Sequence, residues 1–500
     1  MPAPASQLAS WRERWFGPET RSRLRLGARR HWLFLALLAV GTGLRVVTQI
    51  AYRPALLFID SFRYLENLQE LDPTKTQPIG YALLLLRPVL SIGNLATVVA
   101  LQHVLGLAMG IAIYVTLVRL GSRLWIAALA AVPVLLDAYQ LQIEQNIMSE
   151  ALLEALVLAA VVLLLWRRPV TLPVLAVAGV LFGLAATVRT VGVVLIVPAV
   201  VFALVAGAGG WQRLLRAATI ALAFALPVGA YAAYYSVEEG RVGINRGDVL
   251  LAYGRAATIV DCRGLDLPDY ERILCPREPA GQRLGVNEYA HSSPYPDAVT
   301  PPPGKTRDEV LRDFSRRVIV HQPFDFAREV VTDFAKGFTW RRKTFAGDAP
   351  LSRWQFQRDY PTFGPEPVPV TREHGGGRPT VIEPLAAFLR GYQLSVGYTP
   401  GPALALAFGA GVLGAIGVGR ARRSGLRAAC ALPTLCGLCL LLGADLFHFS
   451  WRYQLPALVL APLGGALGIT ALTGWITPAR PGAAPAVATT DARGSLSAAS

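Results

Sequence analysis

Charge is what this 500-residue sequence has little of: Asp, Glu, Lys and Arg together make up 16% of it, where soluble domains carry roughly 25%. A chain so poor in charge cannot clothe its surface for water, which excludes an ordinary soluble globular protein. Lysine is scarcer still, since of 48 basic residues only Lys75, Lys305, Lys336 and Lys343 are lysine; such an arginine bias fits a GC-rich, bacterial genome. The five cysteines and six histidines show no zinc-ligand spacing. No repeat relates the two halves, and no pair of Gly/Pro-broken helices occupies corresponding positions, as many transporters require. No small-residue cleavage site follows the first apolar run, so a cleavable signal peptide is not expected.

Apolar length is abundant. Hydrophobic residues make up 53% of the chain and bunch into stretches of about 17–25, enough to cross a hydrocarbon core roughly 30 Å thick. Soluble helices show a one-sided 3.6-residue stripe instead. Spans are read at 32–50, 94–118, 124–136, 149–166, 170–187, 190–206, 217–235, 400–419, 428–446 and 453–473, about ten in all. Residues 79–92 (IGYALLLLRPVLSI) are interrupted by Arg87 and Pro88 and read as a helix lying at the interface.

The formal charge of +15 would suggest nucleic acid in a soluble protein. In a membrane protein, basic residues gather in cytoplasmic loops and set topology. Arg21, Arg23, Arg25, Arg29 and Arg30 precede the first span, and Arg119/Arg123, Arg167/Arg168, Arg213/Arg216 and Arg420/Arg422/Arg423/Arg427 follow later ones. Threading the ten spans in order puts all of these on one side, whereas one miscounted helix would scatter them. The expectation is a multi-pass protein of the bacterial plasma membrane with both termini cytoplasmic and no nucleic-acid partner.

The organisation follows. Residues 1–31 form an Arg-rich cytoplasmic N-terminus, 32–235 hold helices one to seven with a first outer loop at 51–78, 236–399 form an extracytoplasmic domain, 400–473 hold the last three helices, and 474–500 form a disordered Ala/Pro/Ser-rich tail. The outer domain mixes short apolar runs with loops such as Pro301-Pro302-Pro303 and Gly375-Gly376-Gly377, and has helical segments at 307–320 and 325–338. The predicted fold class is a polytopic α-helical membrane protein with an extracytoplasmic mixed α/β domain. Cys262 and Cys275 both lie in the outer domain, where an oxidising compartment favours a disulfide.

The stretch Phe58-Ile59-Asp60-Ser61-Phe62-Arg63-Tyr64-Leu65 follows the first span. A carboxylate there, near a lipid carrier's phosphate, is placed to take a proton from an acceptor hydroxyl; alone, Asp60 reads more simply as a solvated loop acid. Its context is Thr76-Gln77-Pro78-Ile79-Gly80-Tyr81, then Glu144 and Ser149-Glu150 at the mouth of the fourth span, and Trp451-Arg452-Tyr453-Gln454-Leu455-Pro456 opening the last. Taken in order, these elements resemble the GT-C superfamily of polyprenyl-phosphate-sugar-dependent transferases, which includes protein O-mannosyltransferases and the lipid A aminoarabinose transferase. In that family an acid in the first outer loop is followed by a tyrosine and by a Pro-rich turn before a juxtamembrane helix. Asp60, Tyr64 and the Gln77–Tyr81 turn match that order. The resemblance covers mainly 32–235, with Arg452-Tyr453 added.

One departure stands out. Many members carry paired acids in this loop, whereas Asp60 is followed by Ser61. A second carboxylate must come from Glu150 or Glu144, or the site works with one. The case for a metal weakens accordingly, with Mg²⁺ or Mn²⁺ held by carboxylate and phosphate oxygens left as an alternative. Arg45 within the first span, and Arg63, Arg87, Arg189 and Arg452 near the outer face, suit a phosphate, because a guanidinium gives charge and bidentate hydrogen bonds together. Arg87 reads equally well as a snorkelling residue, and Arg45 as a buried partner of Asp60 or Glu150. His103 and His448 read as packing histidines, and the Gly-rich run 407–419 as a close-packed helix.

The expected activity is transfer of sugar from a polyprenyl-phosphate donor to a hydroxyl of a glycan, lipid or protein acceptor on the outer face. Asp60 is the base, Glu150 and Glu144 assist, and Arg45, Arg63, Tyr64, Arg189, Arg452 and Tyr453 bind the lipid phosphate. One-step attack would invert the anomeric centre. The rival class is a transporter, flippase or non-catalytic membrane scaffold.

Overall fold

The computed structural model describes residues 27, 29–74, 77–167, 169–206, 209–240, 243–244, 248–279 and 281–474. Arg21, Arg23, Arg25, Thr76, Arg168 and the tail beyond Gly474 lie outside them. Each apolar stretch read as a span is a helix. In chain order they are α1 (Trp32–Ala51), then, after strand β1 (Tyr52–Arg53) and the loop helix α2 (Ile59–Glu66), α3 (Leu95–Arg119), α4 (Leu124–Leu136), α5 (Ala138–Gln145), α6 (Glu150–Trp166), α7 (Leu172–Val188), α8 (Ile196–Val205) and α9 (Gly210–Glu239). After the outer region come α10 (Gly401–Ile416), α11 (Arg427–Asp445) and α12 (Leu455–Thr473), the last entered through a 3₁₀ turn at Trp451–Gln454.

Length leaves the expected count of about ten spans unconfirmed. Among the described residues five helices are long and apolar enough to cross a membrane, or six if the bent pair α4–α5 is one span; ten do not meet that test. Two breaks show the cause. At Asp137 the carboxylate accepts the Tyr139 amide at 2.9 Å and caps a new helix, so α5 bends 46° away from α4. At Arg189 the chain leaves α7 and continues as a 3₁₀ turn, Thr190–Leu195. The stretch 137–148, expected as an outer loop, is largely the helix α5, all eight of whose residues are buried.

Side-chain bonds gather the arginine-bearing loops at one end of the bundle. Arg119 donates to the Trp166 carbonyl, Thr470 to Ser122 and Arg420 to the Thr473 carbonyl. The interior is close-packed through small residues, as expected where lipid supplies no hydrophobic drive. At Gly468 of α12 a Cβ would stand 2.0 Å from the Ala410 carbonyl oxygen of α10. Within 407–419, Gly411 and Gly414 serve such contact, facing Thr434 of α11 and Gly468 of α12, whereas Gly409 and Gly419 face open space.

At the other end sits the outer region. Its helices Arg307–His321 and Pro323–Lys336 lie close to the expected segments; Thr306 and Glu309 form a reciprocal cap on the first, and Pro323 opens the second. Tyr253, Leu274, Tyr289, Phe314 and Val318 form a separate core, pinned by the Cys262–Cys275 disulfide. The expected mixed α/β character is absent among the described residues. The one sheet has two strands, β1 and Thr380–Val381, antiparallel, and β1 belongs to the first loop. Short apolar runs here are spent on aromatic packing. Phe356 stacks on Tyr52, Trp354 and Phe363 tilt against Phe58, and Tyr360 donates to the Ala55 carbonyl at 2.9 Å. Residues 354–363 therefore roof the loop that carries Asp60.

Candidate active site

Asp60 sits in the first turn of α2 and is 8% exposed. Ser61, which replaces the second acid of the resembling family, accepts the Phe58 amide at 2.9 Å and so is used to start the helix. The turn downstream has a positional purpose. Gly80 lies where a Cβ would stand 2.4 Å from the Thr187 carbonyl oxygen, and that approach lets Gln77 donate to Asp60 Oδ1 at 2.9 Å. Tyr64 and Tyr81 pack edge-on, with Tyr64 bonded to Ser149 at 2.7 Å and Tyr81 to Gln102 at 2.7 Å. Tyr64 thereby fastens the loop to the start of α6.

The Arg452 guanidinium joins the two carboxylates. Its Nη1 donates to Asp60 Oδ2 at 2.5 Å, and its Nε lies 3.1 Å from Glu150 Oε1, an ion-pair distance off line for a hydrogen bond. It is walled by aromatic rings, with Trp354 and Tyr453 each 5.1 Å from the guanidinium carbon. Arg189, at the break after α7, pairs with Glu150 and lies over the Tyr453 ring. Arg63 approaches Asp60 from the open side at 3.6 Å with its side chain 42% exposed. Burial on its own would raise the Asp60 carboxyl; Arg452, Arg189 and Arg63 outweigh it and hold the group below the usual carboxylate range. Asp60, Glu150, Arg63, Arg189, Arg452 and Tyr453 are thus one constellation, with Tyr64 beside it.

Arg45 and Glu144 are not part of it. Their pairing, Nε to Oε2 at 2.9 Å and Nη2 to Oε1 at 2.8 Å, is completed by bonds from Arg45 to the carbonyls of Gly41, Leu135 and Val134. All five guanidinium donors are used, which leaves none for a phosphate. Glu144 also meets His103 at 2.9 Å and Gln140 at 3.3 Å, so it has no face for a substrate. Arg87 is exposed. Among the described residues no group of three His, Cys, Asp or Glu gathers as metal ligands, and both Asp60 oxygens already accept hydrogen bonds, from Gln77 and Arg452.

Beside the charged cluster opens a cavity of about 310 Å³. Glu150, Arg189, Arg452, Tyr453 and His448 line one part, while Leu153, Val191, Val193, Val194, Leu440 and Leu446 line another. From sequence alone His448 reads as a packing residue. Its place in this wall carries no sequence signal, because it depends on how α11 turns into the 3₁₀ entry of α12.

No protein-family model and no curated protein matches the chain. Among solved structures it is similar to the archaeal oligosaccharyltransferase AglB from Archaeoglobus fulgidus in complex with an inhibitory peptide and a dolichol-phosphate, at 13% identity and a TM-score of 0.42 over 89% of this chain. It is likewise similar to the Archaeoglobus fulgidus oligosaccharyltransferase in the apo form, at 14% identity and a TM-score of 0.42 over 87% of this chain. The chain spans about half the length of each, 50% in both cases.

Proposed function

We propose that this protein is a glycosyltransferase that moves a sugar from a polyprenyl-phosphate donor to a hydroxyl acceptor, a glycan, lipid or protein, on the outer face of a bacterial plasma membrane. The observation that carries the reading is a buried Arg–carboxylate cluster opening onto a partly apolar cavity, the two chemistries that a phosphate on a hydrocarbon tail presents. In this reading the shorter apolar helices complete about ten spans, the arginine-bearing end faces the cytoplasm with both termini, and the roofing region is extracytoplasmic.

The donor phosphate lies against Arg452 and Arg189. The acceptor oxygen attacks the anomeric carbon and its proton passes to Asp60, while the carbon–oxygen bond to phosphate breaks and its electron pair stays on the phosphate. Attack from the opposite side inverts the centre. The low proton affinity of Asp60 in the resting state follows chiefly from Arg452. A phosphate that draws Arg452 towards itself raises the basicity of Asp60. Protonation of Asp60 then frees Arg452 to follow the charge growing on the leaving group, where fixed donors contribute most. Glu150 holds both arginines in place.

The test is transfer by the purified chain from a panel of polyprenyl-phosphate sugars. Asp60→Asn should lower kcat by about 10²–10⁴-fold, the range for general-base loss, with unfolding temperature and bare polyprenyl-phosphate binding retained. Unchanged turnover in that variant removes Asp60 as the base, and no turnover of any donor by the unmodified chain defeats the reading.

A further inference from the structure

The polar end of the cavity has hydrogen-bonding capacity that the protein does not use. His448 is 8% exposed and its Nδ1 has no partner among the described residues. Its contact there is the edge of the Tyr453 ring, 5.2 Å between centroids. Glu150, 2% exposed, leaves Oε2 unpartnered although Oε1 meets both arginines. Buried polar atoms without partners are costly, so two in the wall of one cavity point to a ligand that supplies the missing bonds.

Charge narrows the ligand. Arg63, Arg189 and Arg452 face Asp60 and Glu150, so three cations against two anions leave one positive charge. A sugar phosphodiester on a single phosphate carries one negative charge and balances it; a pyrophosphate link would overshoot. Within these five residues each carboxylate already has an arginine partner, which leaves none free for an ammonium group, and a second negative charge would exceed the single surplus cation. His448 is itself uncharged, since burial first, then Arg452 and Arg255, pushes it down to about 3. A neutral imidazole has one donor and one acceptor nitrogen, the pair that a hydroxyl answers. An ammonium can use only the acceptor and a carboxylate only the donor.

We infer that this end of the cavity is a sugar subsite for an uncharged sugar on a single phosphate, in which His448 and Glu150 Oε2 read the sugar hydroxyls. The inference rests on the glycosyltransferase reading above and deepens it by naming the donor class. His448 is a specificity-determining residue in it, distinct from the base.

The experiment uses the full chain in lipid nanodiscs and four donors on one polyprenyl chain: a neutral hexose, an aminosugar and a uronic acid on monophosphate, and the neutral hexose on pyrophosphate. The monophosphate hexose should give the highest kcat/KM. His448→Phe should raise KM for that donor about 10–100-fold, the size of a lost buried hydrogen bond to substrate, while binding of sugar-free polyprenyl phosphate changes by less than about twofold. His448→Asn, which can still donate and accept, should recover most of the loss and serves where the Phe variant does not fold. A preference for the aminosugar, uronate or pyrophosphate donor overturns the inference, as does an unchanged KM in His448→Phe or an equal loss of sugar-free lipid binding. Those outcomes all leave sugar transfer standing. Absence of turnover with every donor removes the glycosyltransferase reading and this inference with it.

Discussion

Of the buried arginine–carboxylate clusters among the described residues, those of Arg45 and Arg452 are built to opposite specifications. Around Arg45 every donor is satisfied, by two carboxylate contacts and three backbone carbonyls, and Glu144 is enclosed by Arg45, His103 and Gln140. Around Arg452 the accounts stay open: Arg452 Nε, Glu150 Oε2 and His448 Nδ1 lack hydrogen bonds, and all three residues line a cavity. A closed cluster can only hold helices together. An open one has bonds left to give, and an approaching ligand can redistribute them. Residue type does not separate the two cases; unspent hydrogen-bonding capacity does.

The contrast fails most visibly if the two arginines prove interchangeable. Arg452→Ala should lower kcat/KM by about 10²–10³-fold or more, the loss typical of one transition-state donor, read with the best polyprenyl-phosphate sugar. Arg45→Ala should act on the fold: removing one partner of a buried pair costs about 3–5 kcal/mol, seen as an earlier unfolding transition in detergent, with turnover per folded molecule retained. Lost turnover in Arg45→Ala at unchanged stability would erase the distinction.

Much of this architecture was legible in the sequence, because long apolar helices write themselves as apolar length. Trp32–Ala51, Leu95–Arg119 and Arg427–Asp445 fall within a residue or two of their expected bounds. What escaped was whatever depends on tertiary reach. Residues 138–145 look like a polar loop, yet their Gln and Glu side chains bond inside the bundle. The outer region's short apolar runs imitate strands, but they pair through rings more than through backbones. The site divided the same way: Asp60, Glu150, Arg189 and Arg452 carried a signal through their position at helix mouths. Arg45, set inside α1, resembled them while belonging to the other cluster. His448 has no pattern at all, only a place.

Acidity sharpens the comparison further. Burial and three arginines act on Asp60 in opposite senses, and the arginines prevail. A carboxylate whose folded value is depressed adds stability that is present above the unfolded carboxylate range and lost as pH falls through the lower folded value. The acid limb of kcat/KM for the intact chain should therefore lie below 3.8, the ordinary aspartate value. In Arg452→Gln the burial contribution is relieved of its main opponent, so the limb should move to higher pH. A limb that stays in place would mean that another group controls the acid side of the profile.

The smallest effect belongs to Arg63, and it tests whether the open side of the cluster behaves as solvent does. Its guanidinium stands 3.6 Å from Asp60 with the side chain 42% exposed, so the pair is screened, and exposed pairs of this kind are worth about 0.2–1 kcal/mol. Arg63→Ala should raise donor KM by only about two- to fivefold at low ionic strength, and the effect should fade near 1 M salt, where the Debye length falls to roughly 3 Å. The Arg452→Ala loss, set in a ring-walled and buried position, should scarcely respond to the same salt. Equal salt sensitivity in both variants would place Arg452 in water too, and the division between a screened gate and a desolvated phosphate contact would collapse.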